Sequence, residues 1–196
     1  MEATMRRKFI LRLALIGTLA GCLACKGKET SAAAPAEVST NTITAVVKTE
    51  KAPPAGSYVK RHSYFKLPSV AGGEIDLADH AGKPVMVMFF TETCPYCRKA
   101  APYLEKIYQA YKPKITVIGV CIQDDPQAPK NFAADLGTTF PMVYGGRDLY
   151  RQYKAQGVPF IYLLDKEHEP KKVWPGFTDS FYPEMTAIID SLLAAK

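Results

Sequence analysis

Cys94-Pro95-Tyr96-Cys97 places two thiols three positions apart, directly after the apolar run Val85-Met86-Val87-Met88-Phe89-Phe90. That spacing in that context reads as a dithiol redox site, cycling between two thiols and a Cys94–Cys97 disulfide. The segment from Tyr96 through Tyr111 is predicted to be helical, which sets the positive end of its dipole under Cys94 and favours a thiolate there. Cys94 is therefore the expected nucleophile. Cys97 falls about one turn into the helix, where it should be shielded and hold its proton more tightly. Tyr96 lies between the two and is a candidate for packing against a bound partner.

Cys-x-x-Cys also supplies two ligands of a structural zinc site, but such a site needs a second pair of cysteines or histidines nearby. The other cysteines, Cys22, Cys25 and Cys121, and the histidines, His62, His80 and His168, stand alone in the sequence. No metal site and no cofactor is expected. Cys121 lies in the β-branched run Ile115 to Ile122, where a free cysteine behaves as a small buried hydrophobe. Glu92, two residues before Cys94, is expected to be an exposed loop carboxylate, and His168 to sit in a solvated turn between Asp165 and Pro170. Cys25 falls in a polar stretch that assigns it no role.

The chain begins with Arg6-Arg7-Lys8, then an apolar run from Phe9 to Leu19 interrupted only by Arg12, then small residues before Cys22. This is the pattern of an export signal over residues 1–21, short for a membrane span. Residues 22–57 are rich in Ala, Thr, Ser, Lys and Pro and show no sustained apolar periodicity, so a tether is expected there. Residues 58–196 are long enough for one domain with its own core. The formal net charge of the chain is +6, of which the first 21 residues carry +3. The remaining basic residues are scattered and make no stripe on a helix, which argues against a nucleic-acid partner.

The elements that must position the dithiol follow from periodicity. Tyr64 to Pro68 and Glu74 to Leu77 read as a hairpin around Gly72-Gly73, and Val85 to Phe90 as a strand leading into the cysteines. The helix to Tyr111 contains Pro102, where a kink is expected. Ile115 to Ile122 is a continuous apolar run suited to a strand buried on both faces. Next come a helix from Pro129 to Leu136 stopped by Gly137, a strand from Phe140 to Tyr144 and a helix from Asp148 to Ala155. A strand from Phe160 to Leu164, a strand from Lys171 to Trp174 and a helix from Tyr182 to Ala194 complete the chain. Strands alternating with helices until a last hairpin imply an α/β fold, a mixed sheet flanked by helices, with a right-handed first crossover.

Strand, Cys-Pro-Tyr-Cys, a helix with Pro102 five residues after Cys97, and Val158-Pro159 before a strand together resemble the thioredoxin fold over Tyr64 to Lys196. The N-terminal hairpin with Ala81-Gly82-Lys83-Pro84, and the extra helix and strand between Cys121 and Gly157, are similar to the TlpA/ResA-like branch of extracytoplasmic thiol-disulfide oxidoreductases. The resemblance implies that Pro159 is cis and faces the dithiol, and that Val158 beside it offers an extended edge to a partner segment. It also implies partners that carry thiols or disulfides, a membrane-bound electron donor or acceptor, and a reductant's role. Leu19-Ala20-Gly21-Cys22 resembles the lipobox of bacterial lipoproteins, which implies an acylated Cys22 and a domain held on a membrane outside the cytoplasm, in the periplasm of a Gram-negative cell. Two positions depart from the pattern: Met88 stands where thioredoxin has a buried Asp, and Ala100 where many TlpA/ResA-like proteins have a Glu.

Two other functions are compatible with parts of the sequence. Thr91-Glu92-Thr93-Cys94 has the Thr-x-x-Cys spacing of thiol peroxidases of the same superfamily, although Val87 stands where their proline is expected. A copper-binding assembly factor would use Cys94, Cys97 and His168 as ligands, but copper chaperones of this fold usually have three residues between the cysteines.

Overall fold

The computed structural model describes residues 59–195. The export signal, Cys22, Cys25 and the tether lie outside the described residues.

Six-residue apolar runs make the two central strands. β3 (Val85–Phe90) and β4 (Thr116–Cys121) are buried along their whole length. With β1 (Lys66–Pro68), β2 (Glu74–Asp76), β5 (Met142–Val143), β6 (Phe160–Leu164) and β7 (Pro170–Pro175), they form two sheets. The main sheet has the order β5-β4-β3-β6-β7. β3 runs parallel to β4 and β4 parallel to β5, while β6 is antiparallel to both β3 and β7. Alternation along β3 divides the core. Met86, Met88 and Phe90 pack with Leu104 and Ile107 of α1 (Pro95–Tyr111), Phe132 of α2 (Gln127–Leu136), and Met185 and Ile189 of α4 (Phe181–Ala194). Val85, Val87 and Phe89 face the other way, against Phe65, Leu77 and Leu149 of α3 (Arg147–Gln152). The architecture is the expected α/β sandwich.

The β1–β2 hairpin docks on the free edge of β5. Val70 N–H donates to the Met142 carbonyl at 3.1 Å and Tyr144 N–H to the Pro68 carbonyl at 3.2 Å. An edge strand is thereby covered rather than left to pair with another chain.

Several boundaries differ from the sequence reading for local reasons. α1 starts at Pro95, a residue suited to the first helical turn, and continues through the exposed Pro102. α2 starts at Gln127, whose N–H is capped by the Asp125 carboxylate at 2.8 Å; this leaves Pro129 within the first turn, where its missing N–H costs nothing. α3 ends at Gln152, ahead of Lys154 in a left-handed conformation (φ 54°). The largest difference is at His168. Its turn is not solvated: the residue is fully buried with φ 60°, its ring Nε2 lies 3.2 Å from the His80 carbonyl, and its own carbonyl accepts a hydrogen bond from Ser63. The chain before β1 and the 3₁₀ turn Leu77–His80 close over it.

Candidate active site

The ends of three strands meet where the cysteines emerge. Phe90 is paired with Cys121 and Phe89 with Phe160, so the loop after β3, the loop after β4 and the segment before β6 converge at one end of the sheet. Cys94 is the N-cap of α1, with extended backbone (φ −66°, ψ 115°) and its carbonyl accepting the Arg98 N–H at 3.0 Å. Its Sγ accepts the Cys97 N–H at 3.2 Å. An N-cap oxygen ordinarily satisfies that orphan donor; here a sulfur does, and negative charge on the sulfur strengthens the bond. The same sulfur lies 3.4 Å from the Val158 carbonyl, to which the protonated thiol donates.

Cys97 is fully buried, and burial, followed by its hydrogen bond to Cys94, pushes its thiol pKa far up. The pair thus divides access: Cys94 is half-buried and reachable, Cys97 reachable only through Cys94. Tyr96 is 58% exposed beside them, with the Lys99 ammonium 5.4 Å from its ring centroid. The Val158–Pro159 peptide is cis, as the resemblance implies, and Pro159 is buried. Its carbonyl accepts the Gly176 N–H at 2.8 Å, which ties the segment to the end of β7.

A polar frame that the sequence did not reveal holds the loop before Cys94. Glu92 is half-buried rather than exposed: its N–H donates to the Gln123 side chain and its carboxylate accepts from Asn131, each at 2.8 Å. Arg98 reaches back to the Glu92 carbonyl at 3.4 Å and pairs with Asp135 at 3.0 Å. Asn131 and Asp135 both lie on α2, so the extra helix braces the active-site loop. Nothing in the spacing of these residues marks them in sequence, since they meet only once α2 has packed against α1. Arg98 and Lys99 are each engaged elsewhere, and neither is hydrogen-bonded to the Cys94 sulfur.

Cys121 is also fully buried, with its thiol 3.8 Å from the Gln123 side chain, and burial raises its pKa to about 11. His168 lies at the far end of β6 from Val158, because Leu164 is paired with Val85 and Phe160 with Phe89. That separation removes His168 from any site built on Cys94 and Cys97.

The AhpC/TSA family model matches residues 60–173. The chain belongs to the AhpC/TSA family. Thiol-disulfide oxidoreductase ResA of Geobacillus kaustophilus is 30% identical over 114 residues, a match that spans 57% of this chain and 66%, just under two thirds, of the relative. A thiol-disulfide isomerase from Corynebacterium glutamicum superposes with a TM-score of 0.59 at 26% identity, covering 68% of this chain and 97% of that one. A thiol:disulfide interchange protein of the thioredoxin family from Chlorobium tepidum gives 0.59 at 21% identity, covering 67% and 94%. The fold is thioredoxin-like.

Proposed function

We propose that this chain is a thiol-disulfide oxidoreductase, anchored to a membrane by an acylated Cys22 and exchanging disulfides with extracytoplasmic proteins through Cys94 and Cys97. The observation that carries the reading is the division of labour in the dithiol: a reachable Cys94 sulfur on the helix N-terminus, and a buried Cys97 whose N–H points at that sulfur from 3.2 Å. The likeness to ResA supports the same chemistry.

In the reductive direction the Cys94 thiolate attacks a partner disulfide. A bond forms between Cys94 and one partner sulfur as the partner's own S–S bond breaks, and the other sulfur leaves as a thiolate that takes up a proton. Cys97 then loses its proton and attacks the Cys94 sulfur, forming the Cys94–Cys97 disulfide and releasing the second partner thiol. Two electrons pass to the partner, and a membrane-bound donor of thiols restores the dithiol. The raised Cys97 pKa keeps that thiol protonated until a mixed disulfide brings an electrophilic sulfur beside it. Tyr96 and the backbone at Val158 border the sulfur and are the proposed contacts of a bound segment, with Pro159 fixing the second.

A reductant's role is the favoured direction, because a strong oxidant needs its reduced form specially stabilised, and the only hydrogen-bond donor to the Cys94 sulfur among the described residues is the Cys97 N–H. The experiment is equilibration of the dithiol against glutathione. A potential near about −270 mV fits a reductant, and one near about −120 mV would reverse the direction without changing the residues' roles.

A thiol peroxidase is the second reading, favoured by the AhpC/TSA match and by Thr91 three residues before Cys94. Against it, Thr91 contributes its carbonyl, which accepts the Cys94 N–H at 3.3 Å, and Val87 is buried in β3 where the peroxidase pattern has proline. Peroxide consumption at a rate above disulfide exchange would favour it.

A further inference from the structure

Glu92 stands two residues ahead of the nucleophile, and three separate elements hold it. Its N–H donates to the Gln123 side-chain oxygen, in the loop after β4, at 2.8 Å. Its carboxylate accepts from the Asn131 amide of α2 at 2.8 Å, and its carbonyl from the Arg98 guanidinium of α1 at 3.4 Å. The partners are fixed in turn. The Gln123 carbonyl accepts the Gly145 N–H at 2.8 Å, the Asn131 side-chain oxygen accepts from Gln127 at 2.8 Å, and Arg98 pairs with Asp135 at 3.0 Å. Holding a glutamate in one rotamer costs entropy that these bonds offset, and the result is a clamp on the loop.

What the clamp fixes is Thr91. On its other side Phe90 closes the strand ladder, paired with Cys121 and with its carbonyl accepting the Ile122 N–H at 3.1 Å. Thr91 is thus bracketed by strand and clamp, and its backbone serves both cysteines. Its carbonyl accepts the Cys94 N–H at 3.3 Å, and its backbone also hydrogen-bonds the buried Cys97 sulfur. Burial and the neighbouring Cys94 thiol push the Cys97 pKa up, and the Thr91 bond draws it back down. Among the described residues no carboxylate is hydrogen-bonded to that sulfur. The Cys97 thiolate that resolves a mixed disulfide therefore leans on backbone donors, and their aim depends on where Thr91 is held.

We infer that Glu92 is a positioning residue for the resolving step, holding the Thr91 backbone on the Cys97 sulfur while Cys97 gives up its proton and displaces the partner. In that step the Cys94–Cys97 bond forms as the bond between Cys94 and the partner sulfur breaks, and the partner leaves as a thiolate that takes up a proton. Glu92 acts through Thr91; its carboxylate is turned to Asn131 and serves as that amide's acceptor, not as a base. Attack by Cys94 is spared, because the donor on its sulfur is the Cys97 N–H, which belongs to α1. The inference rests on the oxidoreductase reading, but its test can separate the two.

The reduced full chain is mixed with rising concentrations of oxidised glutathione, quenched in acid, and mapped by mass spectrometry. At low concentration the rate of oxidation reports attack by Cys94; at high concentration it levels off at the rate at which Cys97 releases glutathione from Cys94. Glu92→Ala should lower the plateau on the order of tenfold, the size of a lost hydrogen bond to a charged group, and change the initial slope by less than about twofold. The Cys94–glutathione adduct should then accumulate. Asn131→Ala, which leaves the loop sequence intact, should lower the plateau in the same direction. Glu92→Gln keeps an acceptor for Asn131 and removes the base, and should retain most of the release rate. Asn131→Asp sets a second carboxylate against Glu92 and should slow release; the E92Q/N131D chain, in which the glutamine donates and the aspartate accepts, should recover it. That swap reads the same contact if Glu92→Ala is too unstable to assay. A wild-type plateau in Glu92→Ala, equal losses in slope and plateau, release in Glu92→Gln as slow as in Glu92→Ala, or no recovery in the swap would each overturn the inference. A wild-type chain that forms the adduct and never the Cys94–Cys97 disulfide would remove the oxidoreductase reading, and the inference with it.

Discussion

Cys97 and Cys121 are both fully buried, both lie in the same apolar cluster, and burial raises the pKa of each thiol. Their difference lies in what stands next to the sulfur. Cys97 is one helical turn from a second, reachable thiol that accepts its own N–H. Cys121 is on a central strand, and its sulfur faces the Gln123 amide oxygen. Burial alone thus makes an inert thiol, and a buried thiol becomes a resolving one only when a neighbouring sulfur can bring the electrophile to it.

The largest effect expected from this contrast is at Cys94. Cys94→Ser should reduce disulfide exchange to the uncatalysed background, whereas Cys121→Ala should leave it unchanged in the same assay. Cys97→Ala should keep the attack and lose the release, so that a stable mixed disulfide accumulates on Cys94, seen as an added mass removed by dithiothreitol. Exchange at the wild-type rate in Cys97→Ala would make the two buried thiols equivalent. Pro159→Ala should come next. The carbonyl beside it touches the Cys94 sulfur, and the loss in exchange should exceed the loss in stability, measured on one preparation by turnover and by urea unfolding.

Cys121 should matter to stability instead. Removing its sulfur from the core should cost about 1 kcal/mol in urea unfolding. Its folded pKa of about 11 stands above the ordinary value of 9.0, so the neutral thiol's contribution is complete below pH 9 and is lost as pH rises towards 11. Cys121→Ala should therefore flatten the alkaline fall in stability between those values, and an unchanged alkaline limb would refute the assignment. The smallest effect is at His168, whose pKa burial lowers from 6.5. A lowered histidine supports the fold above its unfolded pKa and loses that support as pH falls through the folded one, so stability should decline below about pH 6.5. His168→Gln should lessen that decline.

The sequence was most informative where residues act through local pattern. The runs in β3 and β4, the Cys-x-x-Cys at a strand-to-helix junction and Gly137 as a helix stop each carry their reason in neighbouring residues, and each stands in the structure as read. His168 and Glu92 were misplaced because their surroundings come from distant chain, Ser63 and His80 for one, Gln123 and Asn131 for the other. Turn composition predicts exposure only when nothing packs over the turn. Here the chain before β1 does, and no periodicity announces it.

The most direct test of the dithiol assignment is a redox titration of the chain in glutathione buffers, with thiols alkylated at each point and mapped by mass spectrometry. One disulfide, Cys94–Cys97, should form in a single two-electron transition of about 29.6 mV per tenfold change in equilibrium constant, with Cys121 reduced throughout and alkylated only after unfolding. Oxidation that pairs Cys121 with either active-site cysteine, or that stops at a sulfenic acid on Cys94 while Cys97 stays reduced, would contradict it.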